Sequence, residues 1–162
     1  MRHKLAVAFL IACTTCATST AYSADEAQAV TFSLNNAASR DAATVLRTIA
    51  GVRNLEIADD HTITVRDTRE QLELAAAVVK MLDTTEDTAD ATPLTASDGS
   101  VIAAVVLDRA SSAEVMVALR EELQIARCAT AGEKRVFLRD TESQIQAALK
   151  VIGRVEGNHE DS

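Results

Sequence analysis

The chain has 162 residues, a formal net charge of −8 and a pI near 4.8, which excludes the basic face that nucleic acid or an anionic lipid surface would require. Aromatic residues make up 2% of it, and outside the N-terminal leader only Phe32 and Phe137 remain, so stacking platforms for bases or sugars are excluded as well. The length suits one ordinary domain or two very small ones with minimal cores.

Arg2, His3 and Lys4 are followed by an apolar run from Leu5 to Ala12 and then by small residues up to Ala24. This basic, apolar, small order is that of an export leader, and the run is too short to persist as a membrane span. Two processing schemes fit. Cleavage after Ala21-Tyr22-Ser23 makes residues 1–23 a signal peptide. Alternatively, Leu10-Ile11-Ala12-Cys13 reads as a lipobox, residues 1–12 are the leader, and Cys13 is lipidated. Both schemes imply an exported, periplasmic protein, lipid-anchored in the second. After cleavage near Ser23 the remaining thiol is Cys128, so no disulfide framework is expected.

Arg66-Asp67-Thr68 recurs as Arg139-Asp140-Thr141, an offset of 73 (139 minus 66). The same offset pairs Leu34 with Leu107, Ser39 with Ser112, Leu46 with Leu119, Gln71 with Gln144 and Val78 with Val151 without a gap, the signature of a duplicated unit. In the first copy, alternation predicts a strand over Val30–Leu34, with Val30, Phe32 and Leu34 on one face. A helix follows over Ser39–Ala50, with Ser39 or a neighbour as its cap and Gly51 as its stop. Short strands over Asn54–Ala58 and Thr62–Arg66 flank the polar turn Asp59-Asp60-His61. The last helix, Asp67–Leu82, carries Leu72, Ala75, Ala76, Val79 and Leu82 as its apolar stripe. Thr68 with Gln71 and Thr141 with Gln144 have capping-box spacing, as do Ser111 and Glu114. The second copy begins with a strand over Val101–Leu107 and turns its hairpin at Gly132-Glu133-Lys134. The Thr/Asp/Ala-rich stretch 84–100, with the chain's one proline, reads as a linker. The predicted fold is therefore α/β two-layer (α+β): tandem β-α-β-β-α units over 28–83 and 101–156, each a three-stranded sheet with two helices on one face, and a polar tail at 157–162.

Ser33 to Asp83, with its small-residue helix, the strand Thr62–Arg66 and the closing Lys80-Met81-Leu82-Asp83, resembles the small N-terminal, ring-building domains of bacterial secretins; Val101 to Val155 does so more weakly. That resemblance implies a periplasmic β-α-β-β-α module that packs beside its neighbours into rings or docks onto other envelope proteins. The pore-forming domain of a secretin is not part of the match. The resemblance thus implies a module accessory to a secretion or pilus complex, with itself or an envelope secretion component as protein partner.

Chemistry-bearing residues point elsewhere than to catalysis. Asp59, Asp60 and His61 read as a hydrated hairpin turn, because the second copy replaces them with Gly132, Glu133 and Lys134. Cys128 aligns with Leu55 on the inward face of a strand, the place of a small core hydrophobe. Glycines are too few for a phosphate-cradling loop, and a KH-like reading lacks both the Gly-x-x-Gly loop and the basic surface. No enzyme, cofactor, metal or nucleic-acid partner is expected.

One contrast between the copies stands out. On the sheet face away from the helices the first copy places Thr31, Ser33, Thr62 and Thr64, while the second places Ile102, Ala104, Val106, Arg135 and Phe137. Ile102, Val106 and Phe137, flanked by Arg127, Arg135 and Arg139, form a candidate protein-binding patch. Free strand edges offer a further surface for association. The competing reading has the first domain, the linker or the leader segment covering the apolar face within one chain. A small-ligand carrier with its site between the two domains is the alternative function.

Overall fold

A computed structural model describes residues 27–84, 93–125 and 127–158. The leader, with Cys13 and both processing schemes, and the end of the polar tail lie outside them. The first unit contains β1 (Gln28–Ser33), α1 (Ser39–Val45) continuing into a π-helical turn (Leu46–Ala50), β2 (Asn54–Asp59), β3 (Thr62–Asp67) and α2 (Arg69–Asp83). Its antiparallel sheet has the order β1-β3-β2. Ile63 and Val65, buried on the central strand, face the helices, and Val30 and Phe32 lie opposite them across the β1 pairing.

The first helix takes its N-cap from Ala38, which has no side-chain bond to give. Gly51 ends it in the left-handed conformation (φ 78°), which glycine adopts without steric cost. In α2, the Thr68 hydroxyl accepts the Gln71 amide (3.4 Å), as the spacing predicts. The Gln71 side chain does not close the box: it donates to the Ala50 carbonyl (3.0 Å), and Asp67 takes the Thr68 amide (2.9 Å) instead. The buried stripe of α2 includes Val78 in place of the expected Ala76.

The second unit comprises β4 (Leu94–Thr95), β5 (Val101–Val106), α3 (Ser112–Leu123), β6 (Cys128–Ala131), β7 (Arg135–Asp140) and α4 (Glu142–Gly157). Its sheet, β4-β5-β7-β6, has four strands where three were expected: Leu94 and Thr95, inside the predicted linker, pair antiparallel with Ile102 and Val101. Helix α3 has the full capping box expected of Ser111 and Glu114.

Both sheets are antiparallel with helices against them, so the chain is a mixed α+β protein of two two-layer units. The units are stacked. Helix α1 and its π turn lie against β6 and β7 of the second unit, and Ile102, Ala129 and Phe137 share one core with Val45, Leu46, Ile49 and Leu82. A separate core, built from Ala103, Leu119, Val136, Leu138 and Ile145 among others, lies between the other face of that sheet and α3 and α4. The layer order is sheet, helices, sheet, helices. No helix of the described residues is long and apolar enough to cross a membrane.

Candidate functional site

The face expected to carry the patch is the interior of the stack. Ile102 and Phe137 have no exposed surface and Arg139 retains 8%, so the predicted exposed patch is corrected: the first unit covers it. The guanidinium groups turn inward to complete the first unit's helix ends. Arg139 donates to the Ile49 carbonyl (2.7 Å), and Arg135 to the carbonyls of Leu82 and of Thr84 (2.9 Å); cations suit the negative, carbonyl-bearing ends of helices. Asp98 accepts from Arg139 (2.8 Å) and lies 3.9 Å from exposed Arg127. The Ser100 hydroxyl and amide, followed by Arg139, hold the Asp98 carboxyl at about 2. Val106 remains half-buried at the strand end.

The register of the duplication explains this junction. Positions on the line from Asp41 through Val45 and Ile49 face the second sheet, since Asp41 accepts the Gly132 amide (3.1 Å) and the others follow at helical spacing. Their counterparts in α3 are Glu114, Ala118 and Glu122, and the counterpart of Met81 is Arg154. Where the first copy carries Ile49 and Met81, the second thus carries an ion pair, Arg154 with Glu122. At the opposite end, Thr31 and Thr64 share a hydroxyl bond (3.0 Å) on the outer face of the first sheet. The outer sheet face thus carries hydroxyls, and the line on α3 and α4 that corresponds to the buried Ile49–Met81 line carries an ion pair. The same trade explains the bare N-cap of α1: Ala38 and Asp41 stand where Ser111 and Glu114 form a box, and Asp41 binds the second unit instead.

Asp59 accepts the His61 amide (2.8 Å) in the exposed β2–β3 turn, and this bond, with the Thr62 hydroxyl, lowers its carboxyl below the usual range. Cys128 is buried, its thiol directed at the Ile125 carbonyl (3.6 Å). Among the described residues no group of three or more His, Cys, Asp or Glu side chains is arranged to hold a metal ion.

With the sheet face covered, the open surface lies at the strand edges, which the sequence marks only in general terms. Leu34 donates to the His61 carbonyl (2.7 Å), continuing the register Gln28↔Asp67 to Ser33↔Thr62. Hydrogen-bonded pairs alternate in an antiparallel ladder, so Phe32, Val30 and Gln28 also bond β3, and the N–H and C=O groups of Ala29, Thr31 and Ser33 point outward. In the second unit the counterpart of Ala29 is Ile102, whose outward groups face Leu94 of β4. Beside β1 the described residues place no such strand. Edges normally carry guards such as charge, bulges or brevity. Strand β2 has Glu56, Asp59 and a register shift between Ile57 and Asp59; β6 has four residues. Strand β1 is Gln-Ala-Val-Thr-Phe-Ser, uncharged, regular and almost wholly exposed, with Val30 37% accessible at its rim.

No family model matches the chain, and no curated protein does. One solved structure shows a slight likeness: a chain among the Salmonella SPI-1 type III secretion injectisome basal body proteins InvG, PrgH and PrgK, 14% identical, with a TM-score of 0.32. The match covers 80% of this protein and 30% of that chain. Likeness at this level says nothing of what the protein does.

Proposed function

We propose that the protein is an exported, non-catalytic interaction module: two fused units forming one stiff body that joins an envelope assembly, of the kind the secretin resemblance implies, through an open strand edge. The observation carrying this reading is β1, an unguarded edge whose duplicate in the same chain is capped by an added strand. Strand addition is a recurrent mode of protein recognition, with main-chain bonds giving affinity and alternate side chains giving selectivity. Against the carrier alternative stands the packing of Ile102 and Phe137 into a core with the first unit's helices, where a site between the domains was expected. At the rim of the junction lies a surface crevice of about 250 Å³ between α2 and the β4 turn, lined by Glu70, Leu74, Ala77 and Leu94 among others.

The test is the size of the species in mild detergent extracts of the native envelope, for the wild type and for Val30→Lys, which places a charge on the edge without entering a buried site. The wild type should elute well above the 17.2 kDa of the chain, and the variant at monomer size with unchanged circular dichroism. A wild-type protein that elutes as a monomer, or an assembly indifferent to the lysine, removes the edge from the function.

A further inference from the structure

We propose that the partner of β1 is β1 of a second copy, paired antiparallel about a two-fold axis at Thr31, an inference that rests on the edge reading above. The groups available are the N–H and C=O of Ala29, Thr31 and Ser33, derived from the ladder with β3. Only a register that sets outward residues opposite outward residues satisfies them, and centring it on Thr31 does so completely: Ala29 meets Ser33 of the second copy, Thr31 meets Thr31, and Ser33 meets Ala29. Every outward group of the strand then has a partner.

The side chains agree with the same register. In the intervening, non-hydrogen-bonded pairs, where side chains approach most closely, Val30 of one copy lies opposite Phe32 of the other, twice by symmetry. These are the exposed and half-buried apolar residues on the helix side of the strand, and an aromatic facing a β-branched residue is a favourable cross-strand pair. On the outer face the pairs are Thr31 with Thr31 and Ala29 with Ser33, polar or small, continuing the hydroxyl surface of Thr31 and Thr64. Self-pairing of a strand doubles, at one seam, whatever charge that strand carries. In a chain of net charge −8, β1 carries no charge to oppose it, whereas β2 would bring Glu56 and Asp59 together with their copies. The pairing converts two three-stranded sheets into one of six strands. Its contact, one strand from each copy, belongs to the small, reversible class of interface.

Cysteine scanning of the natively processed protein tests the register. Cα atoms of a hydrogen-bonded antiparallel pair lie about 5.5 Å apart, within the range of a disulfide. Thr31→Cys should therefore form a covalent dimer under mild oxidation, while Ser33→Cys, whose Cα atoms would be about 15 Å apart, should do so at least about tenfold more slowly. Sedimentation equilibrium of the wild type should show a concentration-dependent dimer, lost in Thr31→Pro, where the missing N–H is an outward one. Val30→Lys gives a second route to the same loss. Equal cross-linking at both cysteines overturns the register. A purified protein that stays monomeric with exchangeable Ala29, Thr31 and Ser33 amides overturns the second copy as partner and leaves the edge open for another protein. Amides protected at every dilution in a monomer show the edge already covered within the chain, which overturns this inference and the edge reading together.

Discussion

Truncating Phe137 separates the stacked arrangement from one with an open sheet face. Phe137 has no exposed surface and lies in the core shared by both units; Thr64, its counterpart 73 residues earlier, sits half-buried on the solvent face of the first sheet. Loss of a fully buried phenylalanine costs about 3–5 kcal/mol, the transfer energy of the ring plus the cavity left behind. With a urea slope of about 2 kcal/mol per molar, Phe137→Ala should lower the unfolding midpoint by about 1.5–2.5 M. Thr64→Ala gives up one exposed hydroxyl bond and some strand propensity, under about 1 kcal/mol. Since Phe137 shares a core with Val45, Leu46 and Ile49, unfolding of the first unit should move with that of the second. Reporters in each unit, such as hydrogen exchange at Ile63 and at Leu138, would check it. Loss of less than about 1 kcal/mol in Phe137→Ala, or destabilisation confined to the second unit, refutes the shared core.

Other perturbations probe the joints. Asp83 accepts the amides of Asn35, Asn36 and Ala37 (2.7–3.3 Å), tying the end of α2 to the β1–α1 loop as Glu156 ties α4 to Arg109 and Ala110. Burial raises its carboxyl, and those amides, with the Asn35 side chain, outweigh burial and lower it on balance. Its contribution is therefore present at neutral pH and lost as the pH falls below the ordinary carboxylate range; Asp83→Asn should lose about 1–2 kcal/mol at pH 7 and show a flatter urea midpoint against pH between 5 and 2. For Asp98, held at about 2, the same sign applies, so Asp98→Asn should weaken the wild type's loss of stability between pH 4 and 2. Arg139→Met removes the guanidinium donor from the Ile49 carbonyl and one of the donors to Asp98, which keeps Ser100, and about 1–3 kcal/mol of stability should go with it, measured by urea titration. Cys128 should react with a thiol reagent only in denaturant, at a rate following global opening.

Duplication, element order and strand alternation were legible because they depend on local periodicity, and each copy repeats the pattern. Ile102 and Phe137 were correctly set together on the sheet face away from α3 and α4. Alternation tells that a face is apolar without telling what lies against it, which is why the same residues read both as an exposed patch and as a face covered within the chain. A signal for the cover existed in the helices: Val45, Ile49 and Met81 form an apolar line that Ala118, Glu122 and Arg154 lack, and an apolar line on the wrong side of a helix requires a second surface. Leu94 and Thr95 were missed because two residues beside Pro93 carry no period. Gln71 was misjudged because its capping role and its reach to the Ala50 carbonyl differ only in tertiary placement.

The step from the first unit to the second sets the helices of one on the sheet of the next, a head-to-tail contact. Repeated without limit, such an operation generates a ring if its rotation closes and a fibre if it does not. This chain applies it once. Thr31, Ser33, Thr62 and Thr64 at one terminus and the Glu122–Arg154 pair at the other deny the contact its apolar halves, so the length of the column is written in its end residues. Gene duplication supplies new units cheaply; a third one would join this column only after those few side chains changed.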